Sequence, residues 1–124
     1  MNNTMTKLQP LSATSLNGTN VVNFQGKDIG HIEDMMIDLN TGRILYAVLS
    51  FGGILGIGNK LFAVPFESFS IDQKDEKFIL DIDKDRLEDA PGFNKDNWPI
   101  HSDTTFQTEV YSYYNVKPYW NTMQ

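Results

Sequence analysis

Residues 43–65 read RILYAVLSFGGILGIGNKLFAVP. Two apolar runs, Ile44 to Phe51 and Leu61 to Val64, flank a loop that carries Gly52, Gly53, Gly56 and Gly58. Only Ser50 interrupts the first run with a polar side chain, the pattern of a strand buried on both faces, as in a small closed barrel. Glycines beside an apolar run allow positive φ and close backbone approach, so the stretch predicts a strand–loop–strand hairpin.

Upstream, Asn20 to Phe24 reads as a strand and Gln25-Gly26-Lys27-Asp28 as a tight turn. Ser12 is placed to cap a short helical turn, Ala13 to Leu16, stopped by Asn17–Gly18. Ile29 to Leu39 is the next strand. Alternation puts Met35, Ile37 and Leu39 on one face and Asp34, Met36 and Asp38 on the other, and Ile32 falls out of step. Gly30 beside that break predicts a bulge or sharp bend. Asn40-Thr41-Gly42 closes a hairpin into the 43–51 run.

Downstream, Pro65 ends the ladder because proline cannot donate to it. Phe69 to Asp72 and Lys77 to Ile82 are two further strands around a charged turn, and Asp83 to Ala90 suits one helical turn before Pro91–Gly92. Short strands with turn signals between them predict a mainly β fold: a small, closed or partly open antiparallel β-barrel of about six strands. After Trp98-Pro99 the pattern turns helical. Thr104-x-x-Gln107 fits a capping box, and Phe106, Val110, Tyr113 and Tyr114 share a face of a helix from about Thr105 to Tyr114. The organisation expected is a disordered N-terminus over 1–10, a barrel over 11–99 and a helical, aromatic tail over 100–124.

The chain has 124 residues, 16 acidic against 10 basic, a net charge of -6, and no cysteine. One modest core is within its reach. The charge opposes direct binding to nucleic acid and favours a basic protein partner. Lack of cysteine removes disulfides, thiolate metal sites and cysteine nucleophiles. No apolar stretch is long enough for a signal peptide or a membrane anchor, so a soluble, cytoplasmic chain without membrane insertion is expected.

The stretches LNGTNVVNFQGKDIGHIEDMMIDLNTGRILYAVLSFGG and GIGNKLFAVPFESFSID, with the closing APGFNKDNWP, resemble the PRC-barrel domain. The resemblance runs from about Leu11 to Pro99, and its most specific part is the glycine loop running into KLFAVP. It implies a compact barrel shared with the cytoplasmic part of the photosynthetic reaction-centre H subunit. It also implies kinship with the C-terminal domain of the ribosome maturation factor that docks on a small-subunit ribosomal protein. Those relatives are protein-contact modules and bring no catalytic residues or cofactor. This chain has neither the membrane helix of the first nor the preceding domain of the second.

Other chemistry was weighed residue by residue. Gly53 to Gly58 has phosphate-loop spacing, but Asn59-Lys60-Leu61 replaces the required Lys-Ser/Thr. Asp81-x-Asp83-x-Asp85 opens like a calcium loop, yet Arg86 and Gly92 stand where glycine and glutamate are needed. Glu33, Asp34 and Asp38 read as a solvated strand face. His31 and His101 are isolated, so a shared metal site has no support from spacing.

What remains is apolar. Ile54, Leu55 and Ile57 in the glycine loop, with Phe51 before it, either fold back as a plug or form an association surface. In the aromatic tail, either Phe106, Val110 and Tyr113 pack onto the barrel, or Tyr111, Tyr114, Tyr119 and Trp120 serve as interface anchors. The function expected is therefore a non-enzymatic, cofactor-free module that binds a protein partner and itself, as a homodimer or other homo-oligomer. One alternative is an RNA-processing or ribosome-assembly factor acting through a ribosomal protein. Another is a small-molecule or metal-binding barrel using His31, Asp34 and Asp38.

Overall fold

The computed structural model describes residues 10–51, 60–72, 74–99 and 104–122. The expected disorder at the N-terminus and the glycine-loop residues Ile54, Leu55 and Ile57 lie outside these described residues. A short helix α1 (Ala13–Leu16) opens the fold; Ser12 Oγ accepts from the Ser15 N–H at 3.1 Å, the cap the sequence predicts. Strands β1 (Asn20–Val22), β2 (Asp28–Asp38), β3 (Arg43–Ser50) and β4 (Lys60–Pro65) form an antiparallel meander.

A 3-10 turn, Phe66–Ser68, leads into the hairpin of β5 (Phe69–Asp72) and β6 (Lys77–Leu80). Helix α2 (Lys84–Glu88) follows, with Asp83 Oδ1 accepting from the Arg86 N–H at 2.9 Å. That bond explains the aspartate of the calcium-like motif as a helix cap. Strand β7 (Gly92–Asn94), helix α3 (Thr104–Tyr113) and a 3-10 turn (Tyr119–Thr122) complete the order.

The sheet does not close, and it differs from the expected barrel in two respects. It has seven strands, in the order β5-β6-β1-β2-β3-β4-β7. Only three residues separate β4 from β5, although these strands lie near opposite ends of that order, so the sheet must curl until its ends approach. Strand β7, which is not among the strands expected from the sequence, takes the free edge of β4 at Lys60, Leu61 and Phe62. Gly92 makes that approach possible: a Cβ there would lie 2.5 Å from the Leu61 carbonyl oxygen. The sheet is also mixed, since β1 pairs with β6 in parallel, Val21 opposite Phe78.

Curvature comes from bulges between β2 and β3. Their register slips between Ile32 and Asp34 and again between Met36 and Ile37. Gly30, at φ 125°, lies so close to Ser50 that a Cβ would meet the Ser50 carbonyl oxygen at 2.3 Å. The first slip agrees with the break read at Ile32. At the second slip the extra residue is Leu45 on β3, so β2 keeps its alternation there. Ile37 is nevertheless 56% exposed and Leu39 93% exposed, so this end of the strand is left uncovered.

Strands β3 and β4 are covered on both sides, as the unbroken apolar runs imply. Ala47, Leu49, Phe62 and Val64 point into the curled interior with Val21, Ile29, Ile32, Phe78 and Leu80. Tyr46, Val48, Leu61 and Ala63 point outward and meet Val110 and Tyr111 of α3. The second covering is therefore the C-terminal helix. No helix among the described residues is long and apolar enough to cross a membrane.

Candidate functional site

The outward layer is built by the tail. Val110 and Tyr111 are fully buried against β3 and β4, and the Tyr111 hydroxyl donates to the Leu45 carbonyl at 2.6 Å. Phe106, Val110, Tyr113 and Tyr114, the face read in sequence, all pack on the fold, and Gln107 and Tyr111 turn inward beside them. Tyr113 turns to α2. Its hydroxyl donates to the Arg86 carbonyl at 2.6 Å, and Arg86 Nη2 returns a bond to the Tyr113 carbonyl at 2.8 Å. Asn115 ends the helix in the left-handed conformation, φ 59°, and the Val116 N–H reaches back to the Tyr111 carbonyl at 2.9 Å.

That reversal lays Tyr119 and Trp120 over the β2–β3 hairpin. The Tyr119 hydroxyl donates to Asp38 Oδ2 at 2.7 Å, and the Arg43 guanidinium sits 4.0 Å from the centre of the Tyr119 ring. Arg43 Nη2 also meets Glu67 Oε2 at 3.2 Å. Asp38 orders the hairpin turn as well. Its Oδ1 accepts from the Asn40 N–H at 3.0 Å and its Oδ2 from the Thr41 hydroxyl at 2.9 Å. These bonds, the Tyr119 contact first, hold the Asp38 carboxyl below the ordinary carboxylate value, so it is ionised at neutral pH.

Between hairpin and tail lies a cleft of about 540 Å³. Its apolar wall is Met36, Ile37, Leu39, Leu45 and Trp120, with Thr104 and Gln107 of α3 at the far side. A larger trough of about 710 Å³ runs beside the start of α3, lined by Asp89, Thr108, Glu109 and Ser112. It is shallow and open, and Pro91 and Tyr113 share its lining.

The residues singled out in sequence separate into groups. Phe51 is buried in the inner layer, its ring edge-on to Phe62 at 6.4 Å, so it presents no contact surface here. Tyr111 likewise belongs to the chain's own packing, at 1% exposure. Tyr114 touches both layers, and its buried hydroxyl finds no hydrogen-bond partner among the described residues. Tyr119 and Trp120 are half-buried at the cleft. His31 pairs with Glu33 at 3.3 Å, Asp34 is exposed, and Asp38 is committed to the turn and to Tyr119. Among the described residues no three His, Cys, Asp or Glu side chains converge on a point that could hold a metal ion.

Sequence reading missed Ile37 and Leu39 as surface residues. The out-of-step Ile32 signals one bulge, but nothing in the apolar Ile44-Leu45-Tyr46 run signals the second, whose extra residue is Leu45.

The model of the PRC-barrel domain matches residues 11–87, which covers α1 to α2 and leaves β7 and the tail outside. No curated protein matches the chain. The curled sheet of short strands and the match across most of its length lead to one assignment: the chain belongs to the PRC-barrel domain family.

Proposed function

We propose that this PRC-barrel chain is a non-catalytic protein-binding module whose contact surface is the β2–β3 hairpin and the cleft beside it. The observation that carries the reading is Leu39, 93% exposed at the tip of a turn held rigid by Asp38, next to the exposed Ile37. An apolar side chain fixed in water by an ordered turn loses little conformational freedom when a partner covers it. The carboxylates of β2 support the same reading, since Asp38 serves the turn and the tail rather than a substrate.

The test is affinity capture from nuclease-treated native lysate, with the intact chain beside Leu39→Lys. Because Leu39 is at the surface, the variant keeps the fold, which circular dichroism checks. A specific protein held by the intact chain and lost from the variant is the expected result. Equal retention by both, or no retained protein, overturns the reading.

A further inference from the structure

We infer that the cleft between the β2–β3 hairpin and the C-terminal segment takes a short cationic, amphipathic segment of a partner protein: one apolar side chain beside Leu39 and Trp120, flanked by Lys or Arg. The inference rests on the protein-binding reading above and adds the chemistry of the partner. A volume of about 540 Å³ suits one or two large side chains rather than a whole domain surface.

Charge decides the class of segment. Asp38 is the charged side chain lining the cleft and no described Lys or Arg lines it, whereas Glu109 of α3 belongs to the trough. Asp34 and Met36 lie two residues apart with no slip between them, so Asp34 stands on the cleft side of the strand. Arg43, the cation at this hairpin, is already engaged by Glu67 and by the Tyr119 ring. The walls thus offer apolar surface under a negative field, within a chain of net charge -6. A second copy would bring the same charges against them, and an acidic segment would be repelled.

The test titrates the isotope-labelled full chain with a peptide of alternating leucine and lysine, about 12 residues long. Leucine–glutamate and serine–lysine peptides of the same length are controls. The expected result is movement of the Ile37 and Leu39 amide signals and the Trp120 indole signal with the leucine–lysine peptide, at least about tenfold stronger than with either control. Leu39→Ser and Asp34→Asn should each weaken the response severalfold. The first removes the anchor and the second the charge, and both sites are exposed, so folding is not at risk.

Equal response to leucine–glutamate, equal response to serine–lysine, or signals that move elsewhere overturn the assignment. Movement of the Leu39 signal on dilution alone overturns it in favour of a second copy. If capture from lysate depends on Leu39 while the titration fails, the module stands and the cationic segment falls. If capture fails while the peptide binds at the cleft, the site stands as peptide-binding and the cellular reading falls.

Discussion

The two apolar layers share β3 and β4 but differ in chemistry. The inner layer is aliphatic and phenylalanine-rich, with Val21, Ile29, Leu49, Phe62 and Phe78, and none of these side chains has a hydrogen-bonding group. In the outer layer Tyr46 and Tyr111 are buried, with Tyr114, Tyr119 and Trp120 around them, and the Tyr111 and Tyr119 hydroxyls are tied to one carbonyl and one carboxylate. An oily layer accepts many arrangements of similar volume, whereas a tyrosine hydroxyl must find its acceptor. The outer layer therefore fixes where the tail lies, and with it the shape of the cleft. Stability and specificity are divided between two sides of the same strands.

The largest effect that would test this division is Phe62→Ala. Phe62 is fully buried in the inner layer, and truncation should cost about 3 to 5 kcal/mol in chemical denaturation. A cost below about 1 kcal/mol would break the comparison, because the inner layer would then not carry the fold.

A smaller, graded loss is expected in alkali. Burial pushes the Tyr46 hydroxyl up to about 12 from 10.0, and it raises Tyr111 and Tyr114 as well. Folded values above the unfolded value mean that this stability is whole below pH 10.0 and is lost as pH rises towards the folded values. Denaturation midpoints measured across that pH, with tyrosinate absorbance, should fall together. Unchanged midpoints as the buried hydroxyls ionise would remove the distinction between the layers.

The smallest effect belongs to the exposed Asp38 contact. Its carboxyl is lowered first by the Tyr119 hydroxyl, then by the Asn40 N–H and the Thr41 hydroxyl, with the Arg43 charge adding to them against partial desolvation. The contribution is whole above the unfolded value of 3.8 and is lost as pH falls through the lowered value. Solvent and salt screen it. Trp120 fluorescence should report a small acid step that Tyr119→Phe abolishes, and a step that persists in that variant would assign it to another group.

Much of this was legible in the sequence, and for a physical reason. The unbroken apolar runs at 44–51 and 61–64 require cover on both faces, and they have it. The Ser12 cap and the turn at Asn40-Thr41-Gly42 use local chemistry that the tertiary structure leaves alone. What failed depends on distant partners. Alternation could not say that Ile37 and Leu39 stay uncovered, because cover at the end of β2 depends on which distant elements reach over it. Gly92–Asn94 became a strand because β4 had a free edge. The face of α3 was wider than the sequence showed, since one helix wheel cannot say that Tyr111 would be buried against β3 and β4 while Tyr113 packs on the inner layer.

The parallel pairing of β1 with β6 has a consequence for the order of folding. Val21 and Val22 lie between β2, which follows at once in the chain, and Phe78 and Ile79, which arrive much later. The meander from β1 to β4 can form by local hairpins, but β1 keeps an unsatisfied edge until β6 has been synthesised. Contacts of such long sequence separation form late, so the rate-limiting event should be the docking of the β5–β6 hairpin onto β1.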